Sequence, residues 1–302
     1  MELFAPSYYP QFHCIANRCA HSCCIGWEID IDDVTMERYE ALPGASGEAI
    51  RASIRHEGEV ACFALTPEGK CPHLDGRGLC RIISELGDDY LSEICREHPR
   101  FYNLVGDHME CGVGAACEEA ARLILGASDY QTAVAVGMLD MDVSEATGCD
   151  FDAVAWREQL FSLLSDATLS YGERLSAIAS SYATGSPLPR EARRELLLGL
   201  EYLDGAHRPL LAALPDPPDA AGARALLCER FFAYLVYRHA SPAECEAEFR
   251  TAVGFALELE RLFRALVCGD RMSPVQSAVM LSEELEYSED NAEAIGAALR
   301  AP

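Results

Sequence analysis

Four cysteines, Cys14, Cys19, Cys23 and Cys24, fall within eleven residues and stand among Asn17, Arg18, His21 and Ser22 rather than along an apolar face. A packing cysteine is normally scattered among hydrophobes, so thiols crowded beside polar groups suit the capture of a soft metal or a cluster. Further thiols follow at Cys71, Cys80, Cys95 and Cys117. A thiolate is soft and anionic, and four of them satisfy a tetrahedral zinc or the four irons of a cubane cluster. Ligands must converge, so close-spaced groups on loops are completed by partners that the fold brings in. These eight are the candidate cofactor-binding residues, with Cys19, Cys23, Cys24, Cys71, Cys80 and Cys95 as the candidate metal ligands. Adjacent Cys23 and Cys24 cannot easily face the same way, so one is expected to ligate and the other to pack. The spacing is neither the paired CxxC of a zinc ribbon nor the CxxxCxxC of radical enzymes that cleave S-adenosylmethionine. Spacing therefore leaves zinc and iron–sulfur both open. His13, His21, His73 and His98 sit beside cysteines and read as polar neighbours ahead of ligands.

The elements that must position these thiols belong to a globular chain of 302 residues, half of them hydrophobic, enough for one large domain or two ordinary ones. A net charge of -25 excludes nucleic acid and an anionic membrane as main partners, because both would repel it, while a lysine-bearing protein is compatible. The opening Met1-Glu2-Leu3-Phe4 lacks the basic and apolar regions of a signal peptide, and no long uncharged apolar run is present. A cytoplasmic location is the expectation, and in that reducing compartment clustered thiols serve metal or redox chemistry rather than disulfides.

Ten of the fourteen cysteines lie at or before Cys117, which places a boundary near residue 130, ahead of the acidic stretch from Asp140 to Asp152. The expected architecture is mainly α: a cysteine-rich metal- or cluster-binding domain with little β over 1–130, then a helical domain over 131–302. In the first, helices are expected from Asp32 or Asp33 through Leu42, from Ser46 to about His56, from Leu79, around Tyr90 to Cys95, and from Glu118 to Gly126. A strand is expected from Glu59 to Thr66 and a hairpin from Tyr102 to Val113 around Gly106. In the second, apolar spacing of three and four predicts helices over Ala153–Leu164, Leu175–Tyr182, Glu191–Leu203, Ala220–Tyr237, Ala243–Val267 and Pro274–Leu285.

The same residues resemble a family. Phe12-x-Cys14, Cys19-xxx-Cys23-Cys24-x-Gly26-Trp27, Cys71-Pro72-x-Leu74, Gly78-Leu79-Cys80-Arg81, Leu86-Gly87-x-x-Tyr90-Leu91-Ser92, Cys95-Arg96 and Pro99-Arg100 are similar to the flagellin lysine-N-methylases. Those belong to a wider group with CxxxCC-type cysteine clusters associated with zinc or iron. Late motifs resemble the family too: Arg230-Phe231-Phe232-Ala233-Tyr234-x-Val236-Tyr237-Arg238 and Glu284-x-Glu286-Tyr287-Ser288-x-x-Asn291. The resemblance implies methylation of lysine side chains on flagellin or a flagellin-like protein, with S-adenosylmethionine as donor and a 4Fe-4S cluster held by the cysteines. Cys111 falls outside the family pattern, and His98 stands where a tyrosine is expected.

Methyl transfer to lysine needs a neutral amine, hence desolvation or a carboxylate or tyrosine to take the proton. The usual glycine-rich cofactor turn is not evident, since Gly112-Val113-Gly114 is read as lacking a strong strand before it. The sequence assigns no catalytic residue. Trp27 reads as a loop anchor ahead of a stacking partner, and Arg81, Arg96 and Arg100 are balanced between anion binding and local ion pairs. Tyr234, Tyr237 and Arg238 read as core packing with a surface arginine, while Glu284, Glu286, Tyr287 and Asn291 are either a solvated helix face or an amine-binding patch. Cys62, Cys149, Cys228, Cys245 and Cys268 read as small buried hydrophobes. The competing reading is a non-catalytic zinc- or iron-binding protein that docks a partner.

Overall fold

Tyr39 has no exposed surface, and around it Ile29, Ile31, Ile50, Phe63, Ile82 and Leu91 close a small core of their own. The computed structural model describes residues 1–27, 29–58, 60–139, 151–185 and 187–300. Residues 140–150, with Cys149 and most of the acidic stretch, lie outside them. The chain divides into two compact units, one of His13–Arg100 and one of Met1–Phe12 with Phe101–Pro302. The cysteine-rich unit thus spans His13–Arg100, where the sequence reading placed 1–130. About 54% of the residues are helical and 13% are in strands, so the chain is mainly α.

The strands are β1 (Glu2–Pro6), β2 (Asp30–Ile31), β3 (Ile54–Glu57), β4 (Val60–Phe63), β5 (Arg100–Val105), β6 (His108–Val113) and β7 (Ala133–Met138). In the cysteine-rich unit β2, β4 and β3 form an antiparallel sheet in that order. Its helices are α1 (Asp33–Ala41), α2 (Gly44–Ala52), α3 (Arg81–Leu86) and α4 (Glu93–Glu97). The Asp32 carboxylate caps α1 through the Thr35 N–H at 2.9 Å and also accepts from the Glu93 N–H at 2.8 Å. One aspartate therefore fixes the starts of two helices. The helix expected over Ser46–His56 stops at Ala52, because Ile54 to Glu57 pairs with Val60 to Phe63 and cross-strand pairing overrides local propensity. Asp88 and Asp89 lie in a single 3-10 turn with Tyr90, and the helix expected around Tyr90 to Cys95 begins only after Ser92.

The larger unit holds α5 (Glu118–Gly126), α6 (Ala153–Leu164), α7 (Tyr171–Tyr182), α8 (Arg190–Gly199), α9 (His207–Ala212), α10 (Gly222–His239), α11 (Glu246–Cys268), α12 (Pro274–Leu281) and α13 (Glu289–Arg300). Its core is built on α10 and α11, where Phe231 stacks on Phe263 with ring centroids 4.4 Å apart and neither is exposed. A four-stranded sheet runs β5-β6-β1-β7, with β1 parallel to β6 and antiparallel to β7. The expected hairpin is β5 and β6, turning at Gly106 with φ 59°. The helix expected to continue to Leu285 changes at Ser282 into a π-turn, Ser282–Glu286, closed by the Tyr287 N–H on the Ser282 carbonyl at 2.9 Å. Among the described residues no helix is long and apolar enough to cross a membrane.

Candidate metal centre and buried polar network

Gly69 to Cys71 lies antiparallel to Cys24 to Gly26: the Gly26 N–H donates to Gly69 O at 2.8 Å and the Cys71 N–H to Cys24 O at 2.9 Å. A second short bridge joins Leu74 to Cys80 around the turn held by Asp75, whose carboxylate accepts from the Arg77 and Leu79 N–H groups. The start of α3 and the middle of α4 supply Cys80 and Cys95. All four thiols, Cys24, Cys71, Cys80 and Cys95, pack against the one small core around Tyr39.

They are close enough to perturb one another. The S–H of Cys23 donates to Cys24 and, against the penalty of burial, lowers that thiol to about 7, with Ser22 assisting. Burial pushes Cys71 up to about 12 and Cys95 to about 11, and Cys24 and Cys80 add repulsion to both. Burial raises Cys80 as well. Clustered thiols that repel one another's ionisation form the donor set that a bound multivalent cation deprotonates. The donor chemistry thus suits a thiolate-bound zinc or iron–sulfur centre. The spacing does not: among the described residues no group of three or more His, Cys, Asp or Glu side chains is set to hold a metal ion.

The other candidates separate. Cys14 and Cys23 are exposed, and the half-buried Cys19 donates its S–H to His21 O at 2.6 Å. Of the adjacent pair, Cys24 packs against the core and Cys23 faces solvent. Cys117 belongs to the larger unit, where it starts α5. His73 is buried, lies 2.9 Å from the Ser53 hydroxyl and meets the Phe63 ring edge-on, and burial lowers its pKa, so it is a neutral core residue.

In the larger unit the two late motifs meet, which sequence reasoning did not foresee. Glu286 is reached by the Tyr234 hydroxyl at 2.6 Å, the Arg238 guanidinium at 3.0 Å, His239 Nε2 at 3.0 Å and the Ser282 hydroxyl at 2.6 Å. Burial alone would raise this carboxyl, but Arg238 and His239 overcome it and hold Glu286 at about 2. Arg238 lies over the Tyr287 ring at 4.3 Å and over Phe101 at 4.9 Å. A Cβ at Gly114 would collide with the Tyr287 hydroxyl and the Arg238 guanidinium. Gly112 and Gly114 do follow strand residues, contrary to the sequence reading, yet side chains of Phe101, Tyr287 and Arg238 fill the space beside them. These glycines serve close packing. Glu284 and Asn291 are buried rather than solvated, and they pin the loop after α8: Glu284 accepts from the Leu203 and Asp204 N–H groups and Asn291 pairs with the Glu201 backbone.

Sequence reasoning also passed over Glu258 and Glu260 on α11, which are buried at 4% and 1% exposure. Their signal was a Glu-Leu-Glu inside a strongly apolar helix, where residues two apart cannot both face solvent.

This chain is 30% identical over 132 residues to the flagellar biosynthetic protein FliU of Salmonella muenchen, a match covering 41% of this chain and 77% of that protein. It is 29% identical over 132 residues to the lysine-N-methylases of Salmonella typhimurium and Salmonella choleraesuis, again 41% of this chain but 32% of each of them. The chain thus spans about a third of the length of those two methylases. No family model matches the chain, and no solved structure does. The chain belongs to the flagellin lysine-N-methylase family, which includes FliU.

Proposed function

We propose that this protein is a protein-lysine N-methyltransferase that acts on flagellin or a flagellin-like protein, with S-adenosylmethionine as methyl donor. The observation that carries the reading is its relationship to FliU and to two proteins named lysine-N-methylase. The neighbouring thiols of Cys24, Cys71, Cys80 and Cys95 support a 4Fe-4S cluster, or zinc in its place, as a bound group of the cysteine-rich unit. A strongly acidic chain is suited to a lysine-bearing substrate.

In such a transfer the amine nitrogen bonds to the methyl carbon as the sulfonium bond breaks, and the nitrogen must first lose a proton. Glu286 is a poor base for that step, because its cationic neighbours keep it ionised and weakly basic. Its role in this reading is to hold Arg238, Tyr234 and Tyr287 in place. The test is mass spectrometry of flagellin incubated with anaerobically purified protein and S-adenosylmethionine. Lysines that gain one methylene per transfer are the expected result; unmodified flagellin at full cofactor and metal loading overturns the reading.

A second reading, a metal-binding protein that docks a partner without catalysis, is favoured by the short share of each methylase that the match covers. A colourless preparation carrying zinc and no sulfide, with no methyl transfer, supports it over the first.

A further inference from the structure

Arg224, in the first turn of α10, holds the end of α11: its guanidinium donates to Cys268 O at 3.0 Å and to the Asp270 carboxylate at 2.5 Å. Residues four apart share one face of a helix, so Cys228 lies on the same side of α10 as Arg224. One turn further on, the stack of Phe231 on Phe263 fixes the same two helices against each other. Between these contacts the two thiols meet, and the Cys228 S–H donates to the Cys268 sulfur. Cys228 has no exposed surface, while Cys268, the last residue of α11, is half-buried. The sequence offers each as a separate small hydrophobe; the fold makes them a pair.

Cysteines whose side chains point apart cannot be bridged without moving the backbone, and sulfurs in hydrogen-bond contact meet the opposite condition. We propose that Cys228 and Cys268 are a site of reversible oxidation, joined by a two-electron oxidant of the peroxide class into a disulfide that staples α10 to α11. Cys268 is the sulfur that reacts first, because it is the more exposed. Burial raises both thiols, but at Cys268 the Arg224 and Arg264 guanidiniums oppose it, whereas at Cys228 the Glu260 carboxylate adds to it. With hydrogen peroxide, the Cys268 thiolate bonds to one peroxide oxygen, the O–O bond breaks, and the leaving hydroxide takes up the proton that Cys268 lost, giving water and a sulfenic acid. The Cys228 sulfur then bonds to the Cys268 sulfur, the S–O bond breaks, and the Cys228 proton leaves with that hydroxide as a second water. Two thiols lose two electrons and two protons, and the peroxide gains both. The product closes a loop of about 40 residues, which removes freedom chiefly from the unfolded chain.

In the test the full chain is treated with hydrogen peroxide, its remaining thiols are blocked with N-ethylmaleimide under denaturing conditions, and it is cut with trypsin. Cleavage after Arg224, Arg230, Arg264 and Arg271 puts Cys228 and Cys268 into separate peptides, 225–230 and 265–271, that hold no other cysteine. The expected product is these two peptides joined, about two mass units below their sum, from a chain that runs as a monomer, and separated again by dithiothreitol. The unfolding midpoint of the larger unit, followed by Trp156 fluorescence in a Trp27→Phe background, should rise by about 10 °C on oxidation and fall back on reduction. Cys268→Ser and Cys228→Ser should each abolish both the joined peptide and the gain. Recovery of both peptides carrying maleimide, Cys268 driven to sulfinic acid while Cys228 stays free, Cys268 joined to a different cysteine, or a gain that persists in Cys268→Ser overturns the staple.

Discussion

Replacing Glu286 by glutamine removes the carboxylate on which Tyr234, Arg238, His239 and Ser282 converge, while keeping the shape of the side chain. The carboxyl stands at about 2 in the folded chain against an ordinary 4.5, and a difference of that size corresponds to roughly 3 kcal/mol at neutral pH. Because the folded value is the lower one, this contribution is fully present above about 4.5 and is lost as the pH falls towards 2. Most of that contribution is the pairing with Arg238, whose side chain is only 14% exposed, and it matches the loss of about 3–5 kcal/mol on breaking a buried pair. Urea unfolding of the larger unit can be followed by Trp156 fluorescence in a Trp27→Phe background, since Trp156 packs on Phe249 and Tyr182. Glu286→Gln should lower stability by about 3 kcal/mol at pH 7 and by roughly 1 kcal/mol at pH 3. An equal loss at both pH values, or a loss below about 1 kcal/mol at pH 7, refutes the electrostatic account of the network.

On the proposed 4Fe-4S or zinc reading, anaerobic wild-type protein carries bound metal, and single substitutions Cys24→Ser, Cys71→Ser, Cys80→Ser and Cys95→Ser should each remove most of it. The exposed Cys245→Ser should leave it unchanged by elemental analysis. Gly114→Ala places a methyl group on the Tyr287 hydroxyl and Arg238, so thermal unfolding should show a loss of about 1–3 kcal/mol; an unchanged midpoint contradicts the packing role. Glu258 is raised by burial, so in the wild type its contribution is most favourable below the unfolded value and is lost as pH rises through the folded one. Glu258→Gln should therefore gain in melting temperature relative to wild type as the pH rises above the ordinary carboxylate value, and a constant difference counts against a buried, raised carboxyl.

The helices were legible where apolar spacing ran uninterrupted, with or without a side-chain cap. Ala153–Leu164 and Glu118–Gly126 appear with the expected bounds, the first started by Asp152 on the Ala155 N–H at 2.9 Å. What depends on distant partners was not legible. β1 is five residues at the N-terminus that become a strand only because β6 and β7 flank it, from more than a hundred residues away. The π-turn is also silent in a 3.6-residue pattern, yet its extra residue per turn shifts Glu286 relative to the face of α12. For the thiols, density along the chain pointed to a site, while the structure shows only that Cys24, Cys71, Cys80 and Cys95 share one small core, their loops folded together by two short bridges.

Two kinds of buried carboxyl divide the chemistry of the larger unit. Glu286 is surrounded by donors and cations that use both of its oxygens, and it is held low. Glu258 and Glu260 have arginines nearby but retain an unmatched oxygen each, and burial holds them high. A saturated carboxylate has no valency left for a ligand, so Glu286 fixes structure. Environments that drive like groups in opposite directions separate structural from functional roles.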